Sequence, residues 1–544
     1  MVQGTLSRRG FLRNLSSAGL AAASAPRQSR SQPEDLPPGM TTGWGVPGAA
    51  GEITVGSSTQ LLCDDFLISR GSAPGRDYPV HVAFNVAPVK KEEQPVMLPG
   101  RDAPWEKTGM YWVCVLQDGG RYRCWYNTSR YTARLPEYPH QRPVDKDQVV
   151  HMMVAYAESD DGITWRKPIV NLVDIDGSKA NNVVFVGDTD RYTEGGVVFI
   201  DPTARSDERY KMVFASRFGL KGAYSGDGLR WSLYPRTAEV RGLDTQNVAN
   251  YDPILRRYVA YVRSNALNYG GLDVGLHPVA PTIRGRAVAR MESPDFQNWS
   301  PAEIVLAPDI QDGLDMDFYT CPCSRYQDVH FMLPSAYYHW SGKLNLQVAV
   351  SRDNRQWVRP TRATLVDNGG AGSYDEFRIY AGPGILPSGR DRLTIFTRSG
   401  QGPHPGSVDA SYKAGPWKNW SGLPEGCMGR VMLKRERIVG IEARSEPGVF
   451  ATRPLVFAGR RLRVNVEPIG PDPQLRVQLV QSEGRGIKLV PGRAFADSDP
   501  ITADDLDAVV RWQSGPDLSP WSGRPVRLQF QLRSTRVYAF QFLD

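Results

Sequence analysis

Short apolar runs recur along the chain, and most of them are preceded by an Arg-Tyr pair. The pairs are Arg121-Tyr122, Arg209-Tyr210 and Arg257-Tyr258. Each opens a run rich in β-branched and aromatic residues, and two further runs at 329–333 and 393–396 follow polar turns. Runs of this kind bounded by turn residues are typical of β-strands. The pattern predicts an all-β chain built from repeated hairpins.

A seven-residue motif, Ser-x-Asp-x-x-x-Trp, occurs four times. Its copies are 159–165, 225–231, 293–299 and 351–357, and their tryptophans are 66, 68 and 58 residues apart. A period of this size indicates one supersecondary unit copied several times, here four strands with the motif between the third and the fourth. We expect the aspartate to accept backbone N–H groups in a tight turn and the tryptophan to pack between sheets. The motif is therefore interpreted as structural.

Five hairpins with four clear motifs predict a five-bladed β-propeller over residues 53–451, because a four-stranded unit of about 60 residues is typical of a propeller blade. Strands from residues 53–100 are expected to help close the ring with 431–443. From residue 452 the motif is absent and apolar and polar residues partly alternate, which predicts a C-terminal β-sandwich over 452–544. Residues 32–52, rich in Pro, Ser and Gly, are predicted to be a linker.

Residues 1–31 are predicted to be an export signal of the twin-arginine type. Arg8-Arg9 precedes a weakly apolar stretch, and Ala23-Ser24-Ala25 fits a cleavage site. We therefore expect a periplasmic or extracellular protein without a transmembrane segment in its mature chain. The signal carries five arginines and no acid, so its removal lowers the net charge from +7 to about +2. That charge gives little support to a nucleic-acid partner, and none is predicted.

The sequence does not indicate a metal centre or an organic cofactor. Cys321-Pro322-Cys323 lacks a second pair at zinc-binding spacing, the seven histidines are scattered, and no glycine loop is typical of a nucleotide site. A structural Ca²⁺ ion is left open, since oxygen ligands abound. Most of the six cysteines are expected to be buried free thiols. Whether Cys114 and Cys124 face each other across one hairpin is also left open.

One acidic residue stands near the start of each predicted first strand. These residues are Glu106, Glu194, Asp244, Asp317 and Glu376. They precede the aligned positions of the second strands by 16, 16, 14, 13 and 17 residues. In a propeller, the loop before the first strand and the loop after the second open on one face. The nearly constant offset therefore predicts that these carboxylates converge on one mouth of the ring.

Three of these acids form the predicted catalytic set. Asp317 and Glu376 lie among aromatic residues, where burial raises a carboxyl pKa, and two carboxyls with separated pKa values can supply one acid and one base. Glu376 is the predicted general acid, Asp317 the base or nucleophile, and Asp244 the orienting carboxylate. The predicted substrate-binding residues are Glu106, Glu194, Arg217, Asn247, Arg263, Arg378 and Arg398. The rings considered for stacking on a sugar are Trp112, Tyr337, Tyr338 and Trp340.

Over residues 53–544 the chain resembles the five-bladed glycoside hydrolases of families 32 and 43. The resemblance rests on the segment 159–168 with its related motifs, on the Arg-Tyr hairpins and on the appended C-terminal module. It implies cleavage of glycosidic bonds by carboxylates. The Asn-Asp-Pro context of those families is absent, with Asp65 and Glu106 as substitutes, and so is their Arg-Asp-Pro pattern. Tyr251-Asp252-Pro253 is interpreted as a hairpin turn, so the families' catalytic triad is not carried over.

The sequence thus predicts an exported glycoside hydrolase whose partner is a poly- or oligosaccharide. One alternative is a non-catalytic glycan-binding propeller, which needs aromatic and arginine side chains but no matched carboxylates. Another is a scaffold whose mouth binds protein. An excess of arginines over neutral donors at the mouth would favour an acidic sugar.

Overall fold

The computed structural model describes residues 51–69, 79–100, 102–133, 135, 140, 142–143, 146–240, 243–264, 285–313, 315–404, 426–483 and 486–544. Its secondary structure in these ranges is β-strand apart from four 3-10 helices, which are Pro104–Glu106, Ser206–Glu208, Phe495–Asp497 and Ser519–Trp521. The all-β prediction is confirmed. Within the same ranges, no helix has the length and apolarity needed to cross a membrane. The predicted export signal lies outside the described residues.

Three consecutive sheets have their strands in chain order and antiparallel. Sheet I consists of Val113–Asp118, Arg121–Ala133, Gln148–Ser159 and Val183–Phe185, with Arg142–Pro143 also paired to the third strand. Sheet II consists of Glu194–Ile200, Tyr210–Ser216, Gly219–Ser225 and Ser232–Ala238. Sheet III consists of Val248–Asp252, Arg257–Ser264, Ala287–Ser293 and Glu303–Leu306. Each is the four-stranded unit that the repeat predicts.

The next two sheets have a less regular strand order. Sheet IV consists of Cys323–Tyr326, Val329–Met332 and Ala349–Ser351. Sheet V contains, in spatial order, Met316–Phe318, Ser335–Tyr338, Lys343–Leu346, Arg378–Ala381, Arg392–Gly400, Cys427–Lys434 and Lys90–Lys91, with Leu386–Pro387 beside Arg392–Gly400. An N-terminal strand therefore completes this sheet, and the predicted pairing between the two stretches is confirmed. The number of blades and the closure of a ring stay predictions.

Two six-stranded sheets enclose a separate apolar core that includes Val464, Leu479, Phe530 and Phe540. Sheet VI contains Ile53–Gly56, Leu455–Phe457, Val526–Arg533, Gln474–Glu483, Gly486–Leu489 and Gly448–Ala451. Sheet VII contains Ala83–Val86, Val439–Ala443, Thr535–Leu543, Arg461–Pro468, Asp505–Val509 and Gln60–Leu61. Both sheets thus take strands from the first 90 residues as well as the last hundred. The predicted sandwich and its boundary at residue 452 stay predictions.

All four copies of the repeated motif form the same turn. The motif aspartate accepts the N–H groups two and three residues ahead, for example at 2.8 and 2.7 Å from Asp161. The corresponding bonds of Asp227, Asp295 and Asp353 measure 2.8–3.0 Å. Trp357 packs edge-on against Tyr261, with ring centroids 5.5 Å apart. The structural interpretation of the motif is confirmed.

Strand direction separates the motif turns from the predicted site. In sheet II, Tyr210 pairs with the motif residue Ser225 at one edge, whereas Glu194 pairs with Ala215 at the other. Because the strands are antiparallel, the start of the first strand and the end of the second share that other edge. We call the edge with the motif turns the motif edge and the opposite one the site edge.

The six cysteines are all free and buried, as predicted. In sheet I, Cys114 pairs with Trp125 and Cys124 with Val115. The two cysteines are therefore offset by one position and lie on opposite faces of the sheet. This register answers the question that the sequence left open.

Replacing the motif aspartate tests the origin of the turn's stability. We expect Asp161→Ala to lower the free energy of unfolding by about 1–3 kcal/mol, because two backbone donors lose a charged acceptor. Asp161→Asn keeps an acceptor at the same place and should cost less than about 1 kcal/mol. Urea unfolding followed by tryptophan fluorescence measures both. Equal losses in the two variants would contradict the role given to the acceptor.

Candidate functional site

A pocket of about 180 Å³ opens at the site edge. It is lined by Tyr111, Trp112, Glu194, Asp244, Tyr319, Arg378, Tyr380, Arg398 and His404. Glu194 and Arg378 begin the first strands of their repeats, Trp112 immediately precedes one, and Asp244 lies four residues before another. Arg398 lies near the end of a second strand. The repeat therefore delivers side chains from several sheets to one place, and of the five predicted acids Glu194 and Asp244 line it.

Glu194 is the most perturbed carboxyl of the pocket. Its side chain is buried, and this burial raises the pKa of the carboxyl from 4.5 to about 7. The Tyr192 hydroxyl donates a hydrogen bond to it, and the charges of Arg142 and Arg263 also favour the ionised form. The Trp112 indole also favours the ionised form of Glu194, although its N–H does not reach the geometry of a regular hydrogen bond. Desolvation outweighs all of these, so Glu194 can hold a proton near neutral pH.

Asp244 has different surroundings on the same pocket. Its side chain is 47% exposed, and it forms an ion pair with the guanidinium of Arg263. Arg263 itself is buried, and this burial, together with the nearby charge of Arg286, lowers its pKa to about 10. An adjacent guanidinium favours the charged form of a carboxyl. Asp244 is therefore the carboxylate of the pocket that combines solvent access with a fixed cation.

Asp317 lies behind the pocket lining rather than in it. It is buried, and its Oδ2 is 2.5 Å from Nε2 of His339. The Tyr337 ring packs 4.1 Å from the His339 ring, centroid to centroid, and 5.7 Å from the Tyr319 ring. Asp317 thus orients a histidine that supports one wall of the pocket. Its charge also acts on Arg263.

Aromatic rings make up much of the pocket lining. The Trp112 ring stacks on Tyr319 at 6.3 Å and meets Tyr380 edge-on at 5.3 Å. Tyr319 and Tyr380 contact each other at 5.5 Å. His404 reaches the same cluster, with its Nε2 2.9 Å from the Tyr319 hydroxyl. Aromatic rings that line a pocket suit the apolar face of a sugar.

Backbone contact between sheets positions Glu194 and Asp244. Gly195 has a φ of +65°, and a Cβ atom on it would lie 2.2 Å from the carbonyl oxygen of Thr245. The Asn127 side chain bridges sheets I and II, since it donates to the Thr193 oxygen at 2.6 Å and accepts from Gly196 N at 2.9 Å. At position 195, only glycine permits the close approach to the Thr245 carbonyl. The residues that flank the two carboxyls are therefore in direct contact.

The remaining predicted binding residues are divided between the pocket region and the surroundings. Arg378 and Arg398 line the pocket, and Arg263 contacts it through Asp244. Asn247 is buried beneath it, where its Oδ1 accepts the backbone N–H of Arg263 at 3.4 Å. Arg217 lies elsewhere, donating to the carbonyl oxygen of His140 at 2.7 Å.

Like Asp317, the predicted acids Glu376 and Glu106 do not line the pocket. Glu376, the predicted general acid, accepts the N–H of Gly372 at 2.8 Å within its own loop. Glu106 is buried in a short helix, where it pairs with Lys167 at 2.7 Å. Glu376 thus bonds within its own loop and Glu106 pairs with a distant lysine, so neither lies in this pocket, and the roles predicted for them stay predictions. Asp65 does not line the pocket either.

Of the rings considered for sugar stacking, Trp112 lines the pocket and Tyr337 lies directly behind it. Tyr338 packs into another core, and Trp340 is 51% exposed. Sequence reasoning missed His404, His339 and Arg286. Tyr380 and Tyr319 each follow a predicted residue by two positions, so the period of a strand could have indicated them.

Asp252, which stands in the segment 251–253, bonds the N–H groups of Ile254 and Leu255 at 2.8 and 3.0 Å. This geometry confirms the interpretation of that segment as a hairpin turn. Among the described residues, no group of three or more His, Cys, Asp or Glu side chains could hold a metal ion.

No family model matches the chain, and no curated protein matches it. Among solved structures, the catalytic domain of the Coprinopsis cinerea GH62 α-L-arabinofuranosidase is similar, with a TM-score of 0.40 and 11% identity over 64% of this chain and 98% of that one. The β-1,2-mannobiose phosphorylase from Listeria innocua has a TM-score of 0.43 and 12% identity, covering 64% and 97%.

A thermostable family-43 glycoside hydrolase has a TM-score of 0.36 and 12% identity, covering 60% of this chain and 89% of its own. These structures are carbohydrate-active proteins. At TM-scores below 0.5, however, the similarity carries no argument about the activity of this chain. The functional conclusion therefore depends on the pocket itself.

The raised pKa of Glu194 predicts a pH-dependent effect on stability. Between about pH 4.5 and about pH 7 the unfolded chain loses this proton first, so the native state is progressively destabilised. Glu194→Gln removes that loss. We expect the free energy of unfolding of the variant, relative to wild type, to rise by about 2–3 kcal/mol across this window. Thermal unfolding at a series of pH values, with the exposed Glu93→Gln as control, measures the effect. A constant difference would contradict it.

Gly195→Ala tests the backbone contact between sheets II and III. The added methyl group would meet the Thr245 carbonyl, and we expect a loss of more than about 3 kcal/mol in the free energy of unfolding. Gly119 also has a positive φ, of +58°, but a Cβ there meets no atom within 4 Å. Gly119→Ala should therefore cost only about 1 kcal/mol. Similar losses in both variants would show that φ, rather than the contact, limits the substitution.

Proposed function

We propose that the protein is an exported glycoside hydrolase in which Glu194 is the general acid and Asp244 the second catalytic carboxylate. One observation carries this proposal: two carboxyls lie on the same pocket in opposite surroundings. Glu194 is buried and has a pKa raised to about 7, whereas Asp244 is half exposed and paired with Arg263. A pair separated in this way supplies the acid and the base or nucleophile that glycosidic cleavage requires.

The chemistry assigns each carboxyl one task. Glu194, protonated near neutral pH, donates its proton to the leaving glycosidic oxygen as the bond to the anomeric carbon breaks. Asp244 attacks that carbon or activates a water molecule, and the separation of the carboxyls decides between retention and inversion. Arg263 pairs with Asp244 and fixes its orientation. The desolvated surroundings of Glu194 strengthen these interactions.

The remaining pocket residues suit a sugar ring. Tyr111, Trp112 and Tyr319 offer aromatic surface, and Arg378 and Arg398 offer planar donors to hydroxyl or acidic groups. Asp317 is a positioning residue in this proposal, since it acts through His339. The roles predicted from sequence thereby shift from Glu376 to Glu194 as acid, and from Asp317 to Asp244 as base or nucleophile.

Export is the second part of the proposal. It is supported by the twin-arginine segment and the cleavage site that precede the described residues. Secretion would place the enzyme where poly- and oligosaccharides are accessible.

Two isosteric variants test the catalytic assignment. A panel of poly- and oligosaccharides first identifies a substrate of the mature wild-type protein. We expect Glu194→Gln and Asp244→Asn each to lower kcat by about 10²–10⁴-fold, the range for a general acid or base. The loss in Glu194→Gln should shrink on aryl glycosides, whose leaving groups need less protonation. In wild type, kcat/KM should fall as pH rises through about 7, because Glu194 must be protonated.

Glu376→Gln is the matched control, since the Glu376 carboxyl accepts the N–H of Gly372 in its own loop and does not line the pocket. It should keep wild-type kcat. If Glu376→Gln abolishes turnover while Glu194→Gln does not, the assignment from the structure is wrong. Glycan binding without product release, unchanged in all three variants, would instead favour a non-catalytic glycan-binding protein.

A further inference from the structure

Two arginines of the pocket lining, Arg378 and Arg398, and a third, Arg286, lie around the aromatic residues Tyr319 and Tyr380. Arg378 and Arg398 lie on neighbouring antiparallel strands, where Arg398 pairs with Tyr380 and Arg378 precedes Tyr380 by two residues. The Arg398 guanidinium is 5.1 Å from the centroid of the Tyr380 ring, and that of Arg286 is 4.2 Å from the centroid of Tyr319. Because these two rings contact each other, the three guanidinium groups surround one aromatic pair.

The electrostatic effect of these charges is visible on His404, which lines the same pocket. Burial first, and then the charges of Arg286, Arg378 and Arg398, hold the pKa of His404 well below its usual range. The same three charges act on the Tyr380 hydroxyl. Three guanidinium groups thus lie close enough to one buried imidazole for their charges to act on it.

The carboxyls near the pocket have partners of their own. Asp244 pairs with Arg263, Asp317 bonds His339, and Glu194 accepts from Tyr192 and lies 3.9 Å from Arg142. Glu194, with a pKa of about 7, is in addition only partly ionised at neutral pH.

One buried N–H donor beside the aromatic pair, Nη1 of Arg286, has no hydrogen-bond partner among the described residues. The guanidinium carbon of Arg286 lies 4.2 Å from the centroid of the Tyr319 ring. The Trp112 ring, whose centroid is 6.3 Å from that of Tyr319, acts on Glu194 instead. A buried donor without an acceptor is unfavourable, so a ligand that brings acceptor oxygens would relieve this state.

We propose that this part of the pocket binds the anionic substituent of an acidic sugar, an oxyanion supplied by a uronate carboxylate or a sulfate ester. Guanidinium groups bind planar or tetrahedral oxyanions through paired N–H donors, and more strongly where water is excluded. The inference rests on the proposed function, because the anion belongs to the sugar whose bond Glu194 and Asp244 cleave. It adds the class of substrate, which that function leaves open.

Calorimetric titration of the mature protein tests the proposal without requiring turnover. The probes are glucuronate and galacturonate for the carboxylate, glucose 6-sulfate and galactose 6-sulfate for the sulfate, and glucose and galactose as neutral parents. At least one charged probe should bind about tenfold more tightly than its parent, and salt should reduce the difference. Which arm shows the preference identifies the oxyanion.

Arg286→Met removes the charge but keeps an apolar stem, and we expect it to remove most of the preference. The matched control is Arg230→Met, at the motif edge, where the arginine is 73% exposed. It should leave the preference unchanged. If Arg286→Met does not fold, the wild-type panel and Arg286→Gln still decide the question.

Equal or tighter binding of the neutral parents, no binding of any charged probe, or a preference that survives in a folded Arg286 variant would each overturn the inference. Turnover distinguishes it from the proposed function. Hydrolysis of neutral glycans without any anion preference would refute the inference alone. Anion binding with hydrolysis unaffected in Glu194→Gln and Asp244→Asn would refute the catalytic assignment alone.

Discussion

Close backbone contact between neighbouring sheets at the site edge is the constraint on which the pocket depends. Gly195 touches the Thr245 carbonyl, and a Cβ on Gly426 would come within 2.0 Å of the Met110 oxygen. No side chain fits at either place. The residues that follow or precede these contacts, Glu194 and Asp244 among them, are therefore fixed by the packing of main chain on main chain, which is more rigid than a loop.

The repeated sheets are stabilised by bonds within each turn and by contacts between sheets. At the motif edge each turn is closed by its own aspartate within a few residues, so the four turns have the same structure. Contacts between sheets occur at both edges. Trp125 of sheet I donates to the Gly228 carbonyl at the motif edge, and the Asn127 side chain bridges sheets I and II at the site edge.

The burial of charged groups in the pocket lowers the stability of the protein. Glu194 is buried against its preference for water, and the pKa of Arg263 is lowered to about 10 by burial and the charge of Arg286. Ionisable groups with shifted pKa values that share one cleft are typical of functional sites. The burial and the nearby charges that shift these pKa values cost stability, but they also tune the groups for binding and proton transfer.

The sequence by itself determined the all-β chain, the four motif turns and the strand ends at which the residues of the pocket lie. These follow from local hydrogen bonding and from strand periodicity, both of which are readable along the chain. It did not determine which acids enter the pocket. Glu376 and Arg378 are two residues apart, yet the first bonds its own loop and the second lines the pocket. The burial of Glu194 and the convergence of Arg286 and His404 were decided only by tertiary structure, because desolvation and charge proximity depend on residues that are distant in the chain.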